Sequence, residues 1–101
     1  MTPSPEVVSQ AIVDWTGHGR SAWPDRDPDR ITQRWGPEAA AYLVPWLTRL
    51  EDDFYRSTAC HTSEDLVEMG KAASAEFAER HPEISAKAVE ALAWCYTFDF
   101  K

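Results

Sequence analysis

The chain has little of what several large functional classes require. No stretch approaches the ~18 consecutive apolar residues needed to span a bilayer. The start, MTPSPEVVSQ, lacks a basic region followed by an apolar run, so no targeting segment is expected. Two cysteines, Cys60 and Cys95, are too few for a disulfide scaffold and read as reduced thiols. These absences together point to the cytoplasm. Basic residues are scarce, ten against seventeen acids, giving a net charge of −7. Such a surface repels nucleic-acid phosphates and anionic membranes. No internal repeat, low-complexity tract or sustained strand alternation is present beyond a short aromatic tail, WCYTFDF.

What is present fits one globular domain spanning residues 1–101, with 44% hydrophobic residues and twelve aromatics to fill a core. A chain of this size buries roughly 60–70% of its unfolded surface, which suffices without metal or disulfide staples.

Helix signals recur along the chain. Ser4-Pro5-Glu6 is a cap, a first-turn proline and an acid at the positive end of the dipole. It predicts a helix over about 5–16, ended by Gly17. Residues 17–27 read as irregular, and Asp27-Pro28 opens a short helix through Trp35. Pro37 opens the next. There Leu43, Leu47, Leu50 and Phe54 form a core stripe, and Pro45 predicts a kink near Ala41–Pro45. Ser57–Thr62 reads as a connector, with Thr62 or Ser63 capping a helix whose first turn holds Glu64 and Asp65. The stripe of that helix is Leu66, Met69, Gly70, Ala73 and Phe77, and Gly70 predicts close approach of another helix. His81-Pro82-Glu83 is expected to start the last helix, with Ile84, Ala88, Leu92 and Cys95 inward. The fold expected is all-α: a compact antiparallel bundle of four main helices plus one short one. Its core includes Val8, Ile12 and Trp15 besides these stripes. Trp23, Tyr55, Trp94 and Tyr96 are the aromatics least committed to the interior.

Chemistry-bearing motifs are weak. Cys60-His61 with His18 and His81 lacks the spacing of a metal set, so no metal or cofactor is expected. A Cys-His nucleophile has no surrounding signature. Gly17-His18-Gly19-Arg20 follows a helix, which suits a turn better than a phosphate cradle. No catalytic residue is assigned.

The charge is uneven. Residues 1–50 carry six acids against five arginines, net −1. Residues 51–101 carry eleven acids against five bases, net −6. Six acids, Glu51, Asp52, Asp53, Glu64, Asp65 and Glu68, flank one interhelical connector and are relieved in sequence only by Arg56. Asp52 and Asp53 stand unfavourably near a helix C-terminus, and a choice that costs local stability points to function. With Tyr55 these acids form the expected partner-facing surface, one that attracts a basic protein.

Gly70, then after five intervening residues Glu76-Phe77, then Glu79 and Pro82-Glu83-Ile84-Ser85, together resemble the small helical immunity proteins of bacterial type VI secretion systems. The likeness is closest to those that neutralise NAD(P)+ glycohydrolase toxins. The start, Met1-Thr2-Pro3, is similar too, and the likeness covers about a third of the chain. The loop GHGRSAWPDRDPDR departs from it. The resemblance implies an inhibitor that binds a cognate toxin, obstructs its active site and performs no catalysis. The alternatives are an acidic regulator or adaptor using the same surface and, third, a small Cys/His enzyme.

Overall fold

A computed structural model describes residues 3–62 and 64–100. Ser63, one of the two caps expected for the fourth long helix, lies outside the described residues, as do Met1 and Thr2. The chain is all-helical. Its segments are α1 (Pro5–Thr16), α2 (Pro28–Trp35), α3 (Pro37–Phe54), α4 (Ala59–Thr62), α5 (Leu66–Arg80) and α6 (Ala86–Asp99). Five are full helices and α4 is a single turn inside the expected connector. No helix among the described residues is long and apolar enough to cross a membrane.

α1 packs against α2, α3 and α6. Ser4 Oγ accepts from the Val7 N–H at 3.2 Å, and Gly17 closes the helix at φ 80°. The positive φ favours glycine there, and a Cβ at residue 17 would also meet Ser21 Oγ at 2.7 Å, so that side chain would have to turn aside. Burial extends around α1 beyond the Val8–Ile12–Trp15 stripe and takes in Ser9, Asp14 and Thr16. Each has a partner. Ser9 Oγ accepts from the Ser85 N–H at 2.9 Å, Thr16 Oγ1 donates to the Ile12 carbonyl at 2.9 Å, and Arg34 reaches Asp14 at 2.9 Å.

The irregular 17–27 segment folds back on the end of α1. Asp25 and Asp27 N–H groups donate to the Thr16 and Trp15 carbonyls, both at 3.1 Å. Arg30, held by Asp25, reaches the Asp14 and Trp15 carbonyls at 3.4 Å. A guanidinium at these last carbonyls complements the negative end of the helix.

α3 runs unbroken through Pro45, with that residue and Ala41 both exposed. Leu43, Leu47 and Phe54 are fully buried, as their spacing requires. Phe54 meets Phe77 of α5 and Tyr96 of α6, with ring centroids 5.3 and 5.5 Å apart. The Tyr96 hydroxyl donates to the Ser57 carbonyl at 2.9 Å and accepts from the Cys60 N–H at 3.1 Å. Tyr96 is therefore fully buried, with its polar tip satisfied by the connector.

Three boundaries differ from the expectation. α5 is capped by Asp65, whose Oδ1 accepts from the Glu68 N–H at 2.8 Å; Thr62 instead ends α4. Leu66 then falls in the free first turn, with little packed against it, and is exposed rather than core. α6 begins at Ala86, not at His81-Pro82-Glu83. Proline 82 biases His81 away from helix, and the Ile84 N–H returns to the His81 carbonyl at 3.1 Å. Ser85 is then free to cap, accepting from the Ala88 N–H at 3.2 Å.

α5 and α6 form a hairpin in which a Cβ on Gly70 would meet Thr97 Cγ2 at 3.2 Å, the close approach expected of that glycine. α1 and α6 run in the same direction: Ser9 touches Ser85, and further along His18 packs edge-on against Trp94 at 5.4 Å. That pair departs from a strictly antiparallel bundle.

Candidate functional site

The seven residues expected to form one acidic surface fall in two places. The end of α3 meets the end of α5, not its start. Phe54 stacks near Phe77, and Asp53 contacts Arg80 and His81. Glu68 lies twelve residues before Arg80, or ~18 Å along α5 at 1.5 Å per residue. Connector and α4 carry the chain back between them, so Glu51, Asp52, Asp53 and Tyr55 stand apart from Glu64, Asp65 and Glu68.

The α3 group is largely neutralised by bases from distant sequence, so Arg56, at 3.9 Å from Asp53, is not its sole relief. Arg80 Nε donates to Asp53 Oδ2 at 3.1 Å and its Nη2 to the Asp53 carbonyl at 3.0 Å. His81 Nε2 lies 2.6 Å from the same carboxylate. Burial pushes the Asp53 carboxyl up, but the hydrogen bonds from His81 and Arg80 outweigh it and hold the pKa below its ordinary value. Glu51 is bound by Arg26 at 2.9 Å. The same guanidinium reaches the Tyr55 hydroxyl at 3.0 Å and Asp99 at 3.2 Å. Burial and the hydrogen bond to Asp99 raise the Tyr55 pKa, keeping the phenol protonated. Burial works against the Arg26 charge, and its hydrogen bond and attraction to Glu51 overcome this. Asp52 alone of these three acids is exposed without an ion pair among the described residues.

Beside Asp53 lies a cleft of about 330 Å³, lined by Val8, Trp46, Leu50 and Ile84, with Arg49, His81 and Glu83 at its polar side. Arg49 sits over the Trp46 ring at 5.0 Å. Among the described residues the lining contains no serine, threonine or cysteine to serve as a nucleophile beside the Asp53–His81 pair. The pair joins the ends of α3 and α5.

The α5 group is different. Glu64, Asp65 and Glu68 are exposed and make no ion pair among the described residues, with Asp65 spending one oxygen on the helix cap. Between them stand Leu66 and Val67, 42% and 65% exposed. These two open onto a groove between α5 and α6 of about 600 Å³, lined also by Gly70, Ala93, Trp94 and Thr97. Among the described residues Lys71 is the sole Lys or Arg lining it, and Glu90 stands on the α6 side. This apolar element was missed in the sequence because Leu66 keeps the helical period of the core stripe. Val67, one residue off that stripe, was the available signal.

The remaining reactive side chains are scattered. Both cysteines are free. Burial pushes the Cys95 thiol up to about 12, so it stays protonated and unreactive at neutral pH. His18 lies against Trp94, His81 against Asp53, and His61 is exposed on α4. Among the described residues no three His, Cys, Asp or Glu side chains converge on a point that would hold a metal ion. Trp23, in the 17–27 segment, is exposed.

Compared with protein-family models, curated proteins and solved structures, the chain finds no match.

Proposed function

We propose that this chain is an immunity protein that binds a cognate secreted toxin carrying a basic surface and obstructs its active site without chemistry of its own. The observation that carries the reading is the first turn of α5. There, three exposed acids with no ion pair among the described residues surround two exposed aliphatic side chains. Single exposed apolar residues are ordinary. An apolar pair set among uncompensated like charges is a surface suited to a partner that supplies both apolar contact and positive charge. The internal pairing of Glu51 and Asp53 narrows the partner-facing surface to Glu64, Asp65 and Glu68, with Asp52 outside it.

The Gly70–Ser85 pattern supports the toxin as the class of partner, through its resemblance to type VI immunity proteins. In the fold those residues build the α5–α6 corner, so they bear on architecture more than on contact. An acidic regulator or adaptor using the same surface is the competing class. Coexpression separates the two: cells making a secreted toxin encoded beside this chain survive only when the chain is present. Equal killing with and without it, for every such toxin, refutes the immunity reading.

A further inference from the structure

We propose that the groove between α5 and α6 seats a short basic amphipathic helix of the partner protein. This rests on the reading that the chain binds a basic protein, and it adds where and in what form.

The groove follows α5 from Leu66 to Ser74, about 12 Å at the helical rise, and faces Glu90 to Thr97 on α6. That length matches two to three turns of a third helix. Gly70 lets α5 and α6 approach to contact at Thr97, so the space between them is shallow and lies over small side chains, Gly70, Ser74 and Ala93. A helix laid along it meets Leu66 and Val67 at one end and Trp94 on the α6 wall. Apolar residues at i, i+3 or i+4, and i+7 would fill this track. His18, another lining residue, has a buried Nδ1 with no hydrogen-bond partner among the described residues, which leaves an unmet polar atom beside it.

Charge selects the occupant. Glu64, Asp65 and Glu68 stand at the Leu66 end and Glu90 at the Ser74 end, against Lys71. An acidic or neutral helix would strand four carboxylates, whereas lysines or arginines flanking an apolar face would meet them. A second copy of this chain, at net −7, brings the wrong sign. So does a nucleic acid or an anionic membrane.

The test uses the full chain, isotope-labelled for NMR, and two peptides of equal composition. One is a Leu/Lys peptide with leucines at helical spacing; the other is its scrambled isomer. The amphipathic peptide is expected to shift the Gly70 and Lys71 amides and the Trp94 indole, and to bind about tenfold or more tighter than the isomer. Val67→Lys, at an exposed position that leaves the helix content unchanged, is expected to weaken binding by a similar factor. Equal binding of the isomer, shifts centred on Trp46 and His81, or no shift at millimolar peptide overturns the proposal. Concentration-dependent shifts at Gly70 without peptide also overturn it, naming a second copy as the occupant. In the coexpression assay, rescue that survives Val67→Lys refutes the groove and leaves the immunity reading standing. Peptide seating without rescue by the unmodified chain does the reverse.

Discussion

The Asp53 carboxylate and the His81 imidazole stand 2.6 Å apart and join the last turn of α3 to the end of α5. Arg80 holds the same carboxylate at 3.1 Å, so one acid fastens a corner made by two residues of another helix end. Asp53→Asn should cost about 1 kcal/mol at neutral pH, the size of a partly exposed charged hydrogen bond. Chemical denaturation of the two proteins measures it, and equal midpoints would show that the pair contributes nothing.

The same geometry sets an acid dependence. Asp53, through His81 and Arg80, and Asp25, through Arg30, have folded-state pKa values below the ordinary 3.8. Their stabilisation is complete above that value and is lost as pH falls through the lowered pKa values. Stability should therefore drop below about pH 4. Asp53→Asn should flatten that acid limb. A variant as acid-sensitive as the parent would assign the loss to other carboxylates.

Phe77 is fully buried against Phe54, and its ring also faces His81 at 4.6 Å. Phe77→Ala should cost about 3–5 kcal/mol, most of the stability of a small domain. A loss under 1 kcal/mol, read by thermal or urea unfolding, would mean that Phe77 is not buried in the folded protein.

Tyr96 places its hydroxyl between the Ser57 carbonyl and the Cys60 N–H. Tyr96→Phe keeps the ring and strands both backbone groups, for an expected loss of about 1–3 kcal/mol. Hydrogen exchange should rise at the Cys60 amide before it rises in α1. Unchanged protection there would mean that water replaces the hydroxyl at little cost.

Local patterns carried the fold a long way. The α3 stripe was legible because Leu43, Leu47, Leu50 and Phe54 meet one face at 3.6 residues per turn. The caps at Ser4 and Asp27 were legible because each depends on neighbours two or three residues away. The expected start of α6 at His81-Pro82-Glu83 failed because the Ser85 side chain caps the helix instead, its oxygen satisfying the Ala88 amide. The charge map was not legible. Arg26 reaches Glu51 across 25 residues and Arg80 reaches Asp53 across 27, so two of the six acids that looked uncompensated in sequence are paired in space. The assumption that consecutive helix ends adjoin failed because α4 and its connector intervene.

The pairing in space decides which acids can be reversed without harm to the fold. Asp53 must stay, since it holds Arg80 and His81, and Asp65 must stay as the α5 cap. Glu64→Lys with Glu68→Lys should leave the helical spectrum unchanged. Slower association with a basic partner is expected, by ~10-fold at low salt, with a weaker salt dependence. Stopped-flow kinetics at two ionic strengths reads this, and an unchanged on-rate would place the encounter surface elsewhere.

The most direct measurement of the central claim is survival under coexpression. Cells producing the secreted toxin encoded beside this chain should grow when the intact chain is supplied. They should die when it is absent, and the Glu64→Lys, Glu68→Lys variant should protect less at equal expression. Death at the same rate with the intact, folded chain present, for every toxin encoded nearby, would contradict the account.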